Sequence, residues 1–166
     1  MPIDVDWHLI GHLQTNKVKY IAPFIKLIHS VDSLKLLQEI NKQAQKNNRI
    51  IDCLLQIYIA NEETKFGLNF SEAEQILNSE ELKKLNNIKI VGLMGMATNT
   101  ENTEQIAEEF KSLKTYFDSK KTLTSFNFNL TILSMGMSSD FNLAIKNGST
   151  MIRVGSSIFG NRNYNL

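Results

Sequence analysis

Ser138, Gly155 and Ser156 are small residues set where two apolar runs end, within residues 133–162, LSMGMSSDFNLAIKNGSTMIRVGSSIFGNR. Turns built from such residues expose backbone N–H groups and hydroxyls. If the two runs are parallel neighbouring strands, these turns lie at one end of the sheet and can cradle a phosphate without a lysine. Arg153 stands one residue before the second turn, inside an otherwise apolar run with Met151, Ile152 and Val154. A cation there is costly to bury unless it meets a specific partner. Pattern alone leaves an ordinary strand end with a solvated arginine equally open.

The elements that must position these residues are readable from the same stretch. An apolar run ending in Ser134 leads to a Met-Gly-Met-Ser turn. Asp140 then opens a short helix carrying Phe141, Leu143, Ala144 and Ile145, closed by Gly148. Upstream, strands are expected over 7–13, 27–30, 50–59, 88–94 and 126–133, which makes about six with the strand at Arg153. Residues 50–59 are nearly continuous in apolar character, as expected of a parallel strand covered on both faces.

Helical segments alternate with the strands. A brief turn over 17–22 is broken by Pro23. Asp32 or Ser33 caps a helix with Leu34, Leu37, Ile40 and Ala44 at helical spacing, ended by Asn47-Asn48. After a polar loop over 61–67, Ser71 is expected to cap a helix carrying Ala73, Ile76 and Leu77, with Glu74 completing a capping box. A second segment covers 80–85, a small-residue loop 95–99, and a long amphipathic helix 102–117 with Ile106, Phe110, Leu113 and Phe117 on one face. No antiparallel hairpin signal is present, because Asn147-Gly148 fits a helix C-terminus better. Repeated strand–helix units imply a parallel α/β sheet, either open or closed as a barrel.

Composition bounds the function classes. The 166 residues are 42% hydrophobic and 21% charged, ordinary for one globular domain. Apolar runs fall far short of the roughly 18 residues of a spanning helix, and the formal charge of +1 shows no basic cluster. Neither a membrane nor a nucleic acid is an expected partner, and the cytoplasm is the default location. Cys53, the lone cysteine, is followed by the apolar Leu54 and Leu55 and reads as a small buried hydrophobe. His8, His12 and His29 lack metal-ligand company; on a strand His8 and His12 would share a face but lie about 13 Å apart.

The stretch 133–162 closely resembles the C-terminal signature of the YggS/PROSC-type pyridoxal 5'-phosphate homeostasis proteins, which share the alanine racemase N-terminal-domain fold. Residues 7–17, WHLIGHLQTNK, are similar to another hallmark of that family, and residues 30–33 to its SVDS turn. Leu55 and Gln56, with Glu62, Lys65 and Gly67, resemble its LQVNxxxExxKxG segment, except that Tyr58 stands where the family often has Asn. That difference puts one contact beside the cofactor ring in question. Gly92-Leu93-Met94-Gly95-Met96 resembles its GLMxM strand end.

The resemblance implies an eight-stranded (β/α) barrel of the TIM type, incomplete here with about six of eight strand–helix units, and one partial domain over 1–166. It implies that Ser138, Gly155 and Ser156 hold the phosphate of pyridoxal 5'-phosphate (PLP), while Arg153 faces the pyridine nitrogen and keeps it unprotonated. The ring is then a weak electron sink. His12, Gln14 and Met94 become pocket-lining candidates, with plain core packing the alternative for His12 and Met94. No catalytic or metal-binding residue is implied.

In that family a lysine in an upstream segment resembling AVSKTKP holds the cofactor covalently, and no such segment occurs in these residues. Lys17 and Lys65 match other family positions. The expectation is therefore a fragment or truncated product that takes PLP non-covalently at best. Two uncovered strand edges would make it marginal and prone to self-association. The implied role is cofactor carriage and buffering, with no conventional enzyme activity. The alternatives are a PLP-dependent amino-acid racemase-like enzyme or a fragment that binds nothing.

Overall fold

The computed structural model describes residues 5–61 and 66–160. Six strands run parallel in the spatial order β1 (His8–Leu9), β2 (Leu27–Val31), β3 (Ile51–Tyr58), β4 (Ile88–Met96), β6 (Phe128–Met137) and β7 (Met151–Arg153). A two-residue strand, β5 (Thr124–Ser125), pairs antiparallel with the start of β6. Among the described residues β1 pairs only with β2, and β7 only with β6, so the sheet is an open arc.

Helices fill one face of the arc because their apolar positions recur at helical spacing. Helices α2 (Leu34–Lys46), α3 (Phe70–Leu77) and α5 (Thr103–Lys120) bury Leu37, Ile40, Ala73, Phe110 and Leu113 against Ile28, Cys53, Leu55, Ile90 and Leu133 of the strands. The shorter α1 (Val18–Ile21), α4 (Glu80–Lys83) and α6 (Phe141–Lys146) add Val18, Leu82 and Ala144 to this core, whereas a 3-10 turn (Thr15–Lys17) and α7 (Ser156–Phe159) bury no side chain. The opposite, inner face has its own small apolar cluster of Leu27, Leu54 and Met94, with Val91, Ile132 and Met151 against it.

The sheet must be strongly curved. His29 of β2 and Ser134 of β6 meet at 3.2 Å, although two strands separate them. Three strand spacings amount to roughly 14 Å in a flat sheet, which these short side chains could not span. The inner face is therefore concave, as in part of a barrel.

Several local expectations are corrected. The strand over 7–13 shortens to His8–Leu9, because pairing stops soon after the Trp7 carbonyl accepts from the Lys26 and Leu27 N–H groups. The Met-Gly-Met-Ser segment is strand through Met137. Gly136 adopts φ +92° above α6, where a Cβ would lie 2.6 Å from that of Ala144. Likewise β4 continues through Gly95 to Met96, so the loop starts later than 95.

The capping box belongs to Asn69 and Glu72, two residues before the expected Ser71 and Glu74. The Asn69 side chain accepts from the Glu72 N–H at 2.9 Å, and the Glu72 carboxylate accepts from the Asn69 N–H at 2.8 Å. The start is fixed there because Leu68 is tied through its N–H and carbonyl to β3. The β5–β6 hairpin is the other surprise. Its two-residue turn, Phe126-Asn127, is held by tertiary bonds: the buried Asn127 amide donates to the Leu82 and Leu85 carbonyls at 2.6 and 3.1 Å.

Candidate functional site

Ser138, Gly155 and Ser156 do come together at the C-terminal ends of the strands. Parallel pairing of β6 with β7 places Met137 beside Arg153, so the segments following both strands leave the sheet side by side. The Ser138 hydroxyl oxygen accepts from the Gly155 N–H at 3.2 Å and from the Ser157 N–H at 3.3 Å. Two backbone donors thus converge on one oxygen. Ser156 is the first residue of α7 and is exposed, while Ser157, not singled out in the sequence, supplies the second N–H. A Cβ built on Gly155 has nothing within 4 Å, so the approach to these donors is open.

Arg153 is buried on the inner face, with 8% of its surface exposed. Nη1 donates to the Ser134 hydroxyl at 2.9 Å and Nη2 to the Gly95 carbonyl at 3.0 Å, while Nε is buried with no hydrogen-bond partner. Burial pushes its pKa down to about 10 against the opposing pull of Asp140, so the side chain is a cation at neutral pH. The solvated-arginine alternative is excluded. Asp140 does start α6, yet its carboxylate makes no helix cap; it accepts from the Met137 N–H at 2.5 Å and ties down the turn that carries Ser138.

The remaining candidates are spread along the same end of the sheet. His12 follows β1, half exposed, its Nδ1 3.6 Å from the Asp32 carboxylate and its ring 5.4 Å from that of Phe66. Gln14 is exposed ahead of the 3-10 turn. Its carbonyl accepts from the Lys17 N–H at 2.9 Å, and its side chain makes no capping bond. Met94 is fully buried in the inner cluster with Leu27 and Leu54, and is the register partner of Ser134. It is a floor of the arc. Tyr58 and Gln56 line a groove of about 170 Å³ with Phe66, Met96 and Met137.

Two residues not singled out for the site share it. His29, buried at 1% exposure, places Nδ1 3.2 Å from the Ser134 hydroxyl and Nε2 3.2 Å from Nδ1 of His8. The available signal was periodicity: His29 sits two residues after Leu27, and Ser134 two after Ile132, so both share the inner face of their strands. Cys53 is fully buried and its thiol is pushed up by that burial, which suits the apolar reading.

Glu62 and Lys65 of the resembling segment, and Arg162, lie outside the described residues. Among the described residues no three His, Cys, Asp or Glu side chains gather as a metal set, and no helix is long and apolar enough to cross a membrane.

Comparison with known proteins places this geometry. Residues 2–163 match the family model for the alanine racemase N-terminal domain. The chain is 41% identical over 162 residues to a pyridoxal phosphate homeostasis protein of Aquifex aeolicus, covering 98% of this chain and 69% of that one. A protein of the same name from Vibrio alginolyticus is 36% identical, with coverage of 96% and 66%. The chain therefore spans about two thirds of the length of these relatives. The structure of PipY from Synechococcus elongatus with PLP bound superposes with a TM-score of 0.82 at 32% identity, over 96% of this chain and 72% of that one. Alanine racemase of Clostridium difficile shares the fold at 19% identity, with a TM-score of 0.71 over 99% of this chain and 42% of that one.

Proposed function

Since this chain belongs to the alanine racemase N-terminal-domain family, and within it to the pyridoxal phosphate homeostasis proteins, we propose that it binds PLP reversibly and serves as a cofactor carrier and buffer. The carrying observation is the convergence of the Gly155 and Ser157 N–H groups on one oxygen position, beside a buried arginine that keeps Nε unpaired. The residues fit the group. Two N–H donors and the Ser138 hydroxyl suit a phosphate dianion, and the hydroxyl that now accepts from both N–H groups can turn to donate to the anion. Gly155 keeps that approach open.

Arg153 supports the ring half of the reading. A guanidinium has no acceptor and stays charged, so beside a pyridine nitrogen it disfavours protonation there. PLP supplies an aldehyde and an electron-accepting ring, and an unprotonated nitrogen weakens the second property. That suits holding the cofactor better than driving chemistry on it. His12 and Gln14, on the segment after β1, belong to the rim of the same mouth in this reading, with Met94 as its floor.

Attachment is non-covalent on this reading. The described lysines stand on helices and turns or near the N-terminal ends of β2 and β4, and Lys17 lies over the Tyr20 ring, with Nζ 5.8 Å from its centroid. Titration with inorganic phosphate and with PLP should shift the amide resonances of Gly155 and Ser157, and borohydride should fix no pyridoxyl group stoichiometrically on one lysine. Gly155→Val should fold, because the side chain meets open space, and lose at least about tenfold in both affinities by crowding the anion. Unmoved amides in a folded sample, or a pyridoxyl group mapped to a single lysine, would count against the reading.

The open edges support a second property, self-association. Strands β1 and β7 each pair on one side among the described residues, and Trp7, Ile10, Ile152, Ile158 and Phe159 are exposed near them. Sedimentation should show dimers or larger species. A monomer with a sharp two-state melt is the contrary result. Cytoplasmic location goes with this reading, supported by the lone, buried and unpaired Cys53.

A further inference from the structure

We propose that His29 and Ser134 form a hydrogen-bonded relay of fixed direction that positions the Arg153 guanidinium for a ring nitrogen, with His8 as its solvent-facing end. The inference rests on the PLP-binding reading and assigns roles to residues that the phosphate cradle does not use.

The direction follows from counting donors. Arg153 can only donate, so the Ser134 oxygen accepts from Nη1 at 2.9 Å. Ser134 is fully buried, and the recorded acceptor for its own proton is His29 Nδ1 at 3.2 Å. His29 therefore carries its proton on Nε2, which donates to His8 Nδ1 at 3.2 Å. The reverse direction would aim two donors, His29 Nδ1–H and Arg153 Nη1–H, at one oxygen and leave the serine proton buried without an acceptor. One tautomer satisfies both His29 nitrogens and the Ser134 hydroxyl together.

The relay spans the concave face from β1 through β2 to β6 and β7, and its far end is locked by the Gly95 carbonyl of β4. Bonds from Nη1 and Nη2 hold the guanidinium in one orientation, and its buried Nε–H is the donor that has no partner in the protein. Among the described residues, the titratable and charged groups that bear on the relay are Arg153 from β7 and the exposed His8 from β1, acting on His29, and Asp140, acting on Arg153. The depressed basicity of His29, down to about 4, agrees with a neutral imidazole that accepts from the serine. His29 and Ser134 are positioning residues, since they act through Arg153.

The test uses two probes, PLP and inorganic phosphate, on the whole chain. Ser134→Ala and His29→Leu should each weaken PLP binding about tenfold and leave phosphate affinity within about twofold, because the cradle at Ser138, Gly155 and Ser157 is untouched. His29→Gln keeps an acceptor for the serine proton and should recover most of the loss. In the unaltered chain, long-range proton–nitrogen NMR should find His29 Nδ1 bare and Nε2 protonated, a readout that holds even if a variant fails to fold. A protonated Nδ1, variants that bind PLP normally, or variants that lose both probes alike would overturn the relay while leaving the cradle standing. If the unaltered chain takes neither probe, the cradle reading falls and the relay's role toward the ring falls with it.

Discussion

Gly92→Ala is expected to destabilise the fold by about 3 kcal/mol or more, which a fall in the urea midpoint would register. A Cβ at this position would lie 1.9 Å from the Ile132 carbonyl oxygen and 2.7 Å from its carbon, both of them backbone atoms of the neighbouring strand. No side-chain rotation relieves such a contact; β4 and β6 must separate. Just beyond lie the register pairs Leu93 with Leu133 and Met94 with Ser134. Separation would pull Ser134 away from Gly95, the two acceptors that hold Arg153. PLP affinity should therefore fall with stability. A midpoint shift equivalent to less than about 0.5 kcal/mol, the usual range for innocuous surface changes, would mean that the strands are not packed this closely.

Acidification should cost about 3 kcal/mol of stability between pH 7 and pH 4, with His29 as the principal source. Burial is the main cause that lowers its pKa from 6.5 to about 4, followed by electrostatic interaction with His8 and Arg153. In the unfolded chain the imidazole takes up a proton near pH 6.5, whereas the folded chain refuses it until about pH 4. Over that window the unfolded state binds more protons, so stability falls as pH falls. Below it both states are protonated and this contribution levels off. His29→Leu should flatten the slope, and urea unfolding at a series of pH values in both chains measures the difference. Equal slopes would assign the acid sensitivity elsewhere.

Local signals carried much of this molecule. Alternating apolar runs and capped helices predicted parallel strand–helix units, because burial on both faces and helical periodicity act over a handful of neighbouring residues. The convergence of the two small-residue turns was legible for a similar reason. Ser138 and the Gly155-Ser156 turn belong to one strand–helix–strand unit, and parallel pairing of its two strands brings the turns to one end. The resemblance over residues 7–17 and 92–96 supplied the barrel class, which periodicity left undecided.

Other features depended on contacts that no local pattern contains. The hairpin before β6 was missed because its turn is held by Asn127 reaching the Leu82 and Leu85 carbonyls, more than forty residues earlier in the chain. The helix start at Asn69 was decided by the bonds of Leu68 to β3, while Ser71 and Glu74 offered an equally good local box. Whether Met94 lined a pocket or filled a core could not be read from its spacing, since both roles place it on the same face; packing against Leu27 and Leu54 makes it floor. The meeting of His29 with Ser134, 105 positions apart, and of Ser134 with Arg153 follows from the curvature of the sheet, which brings together inner-face side chains from strands that are not neighbours. Sequence period fixes which face a residue occupies, whereas the distance between residues across that face is set by how far the whole sheet bends.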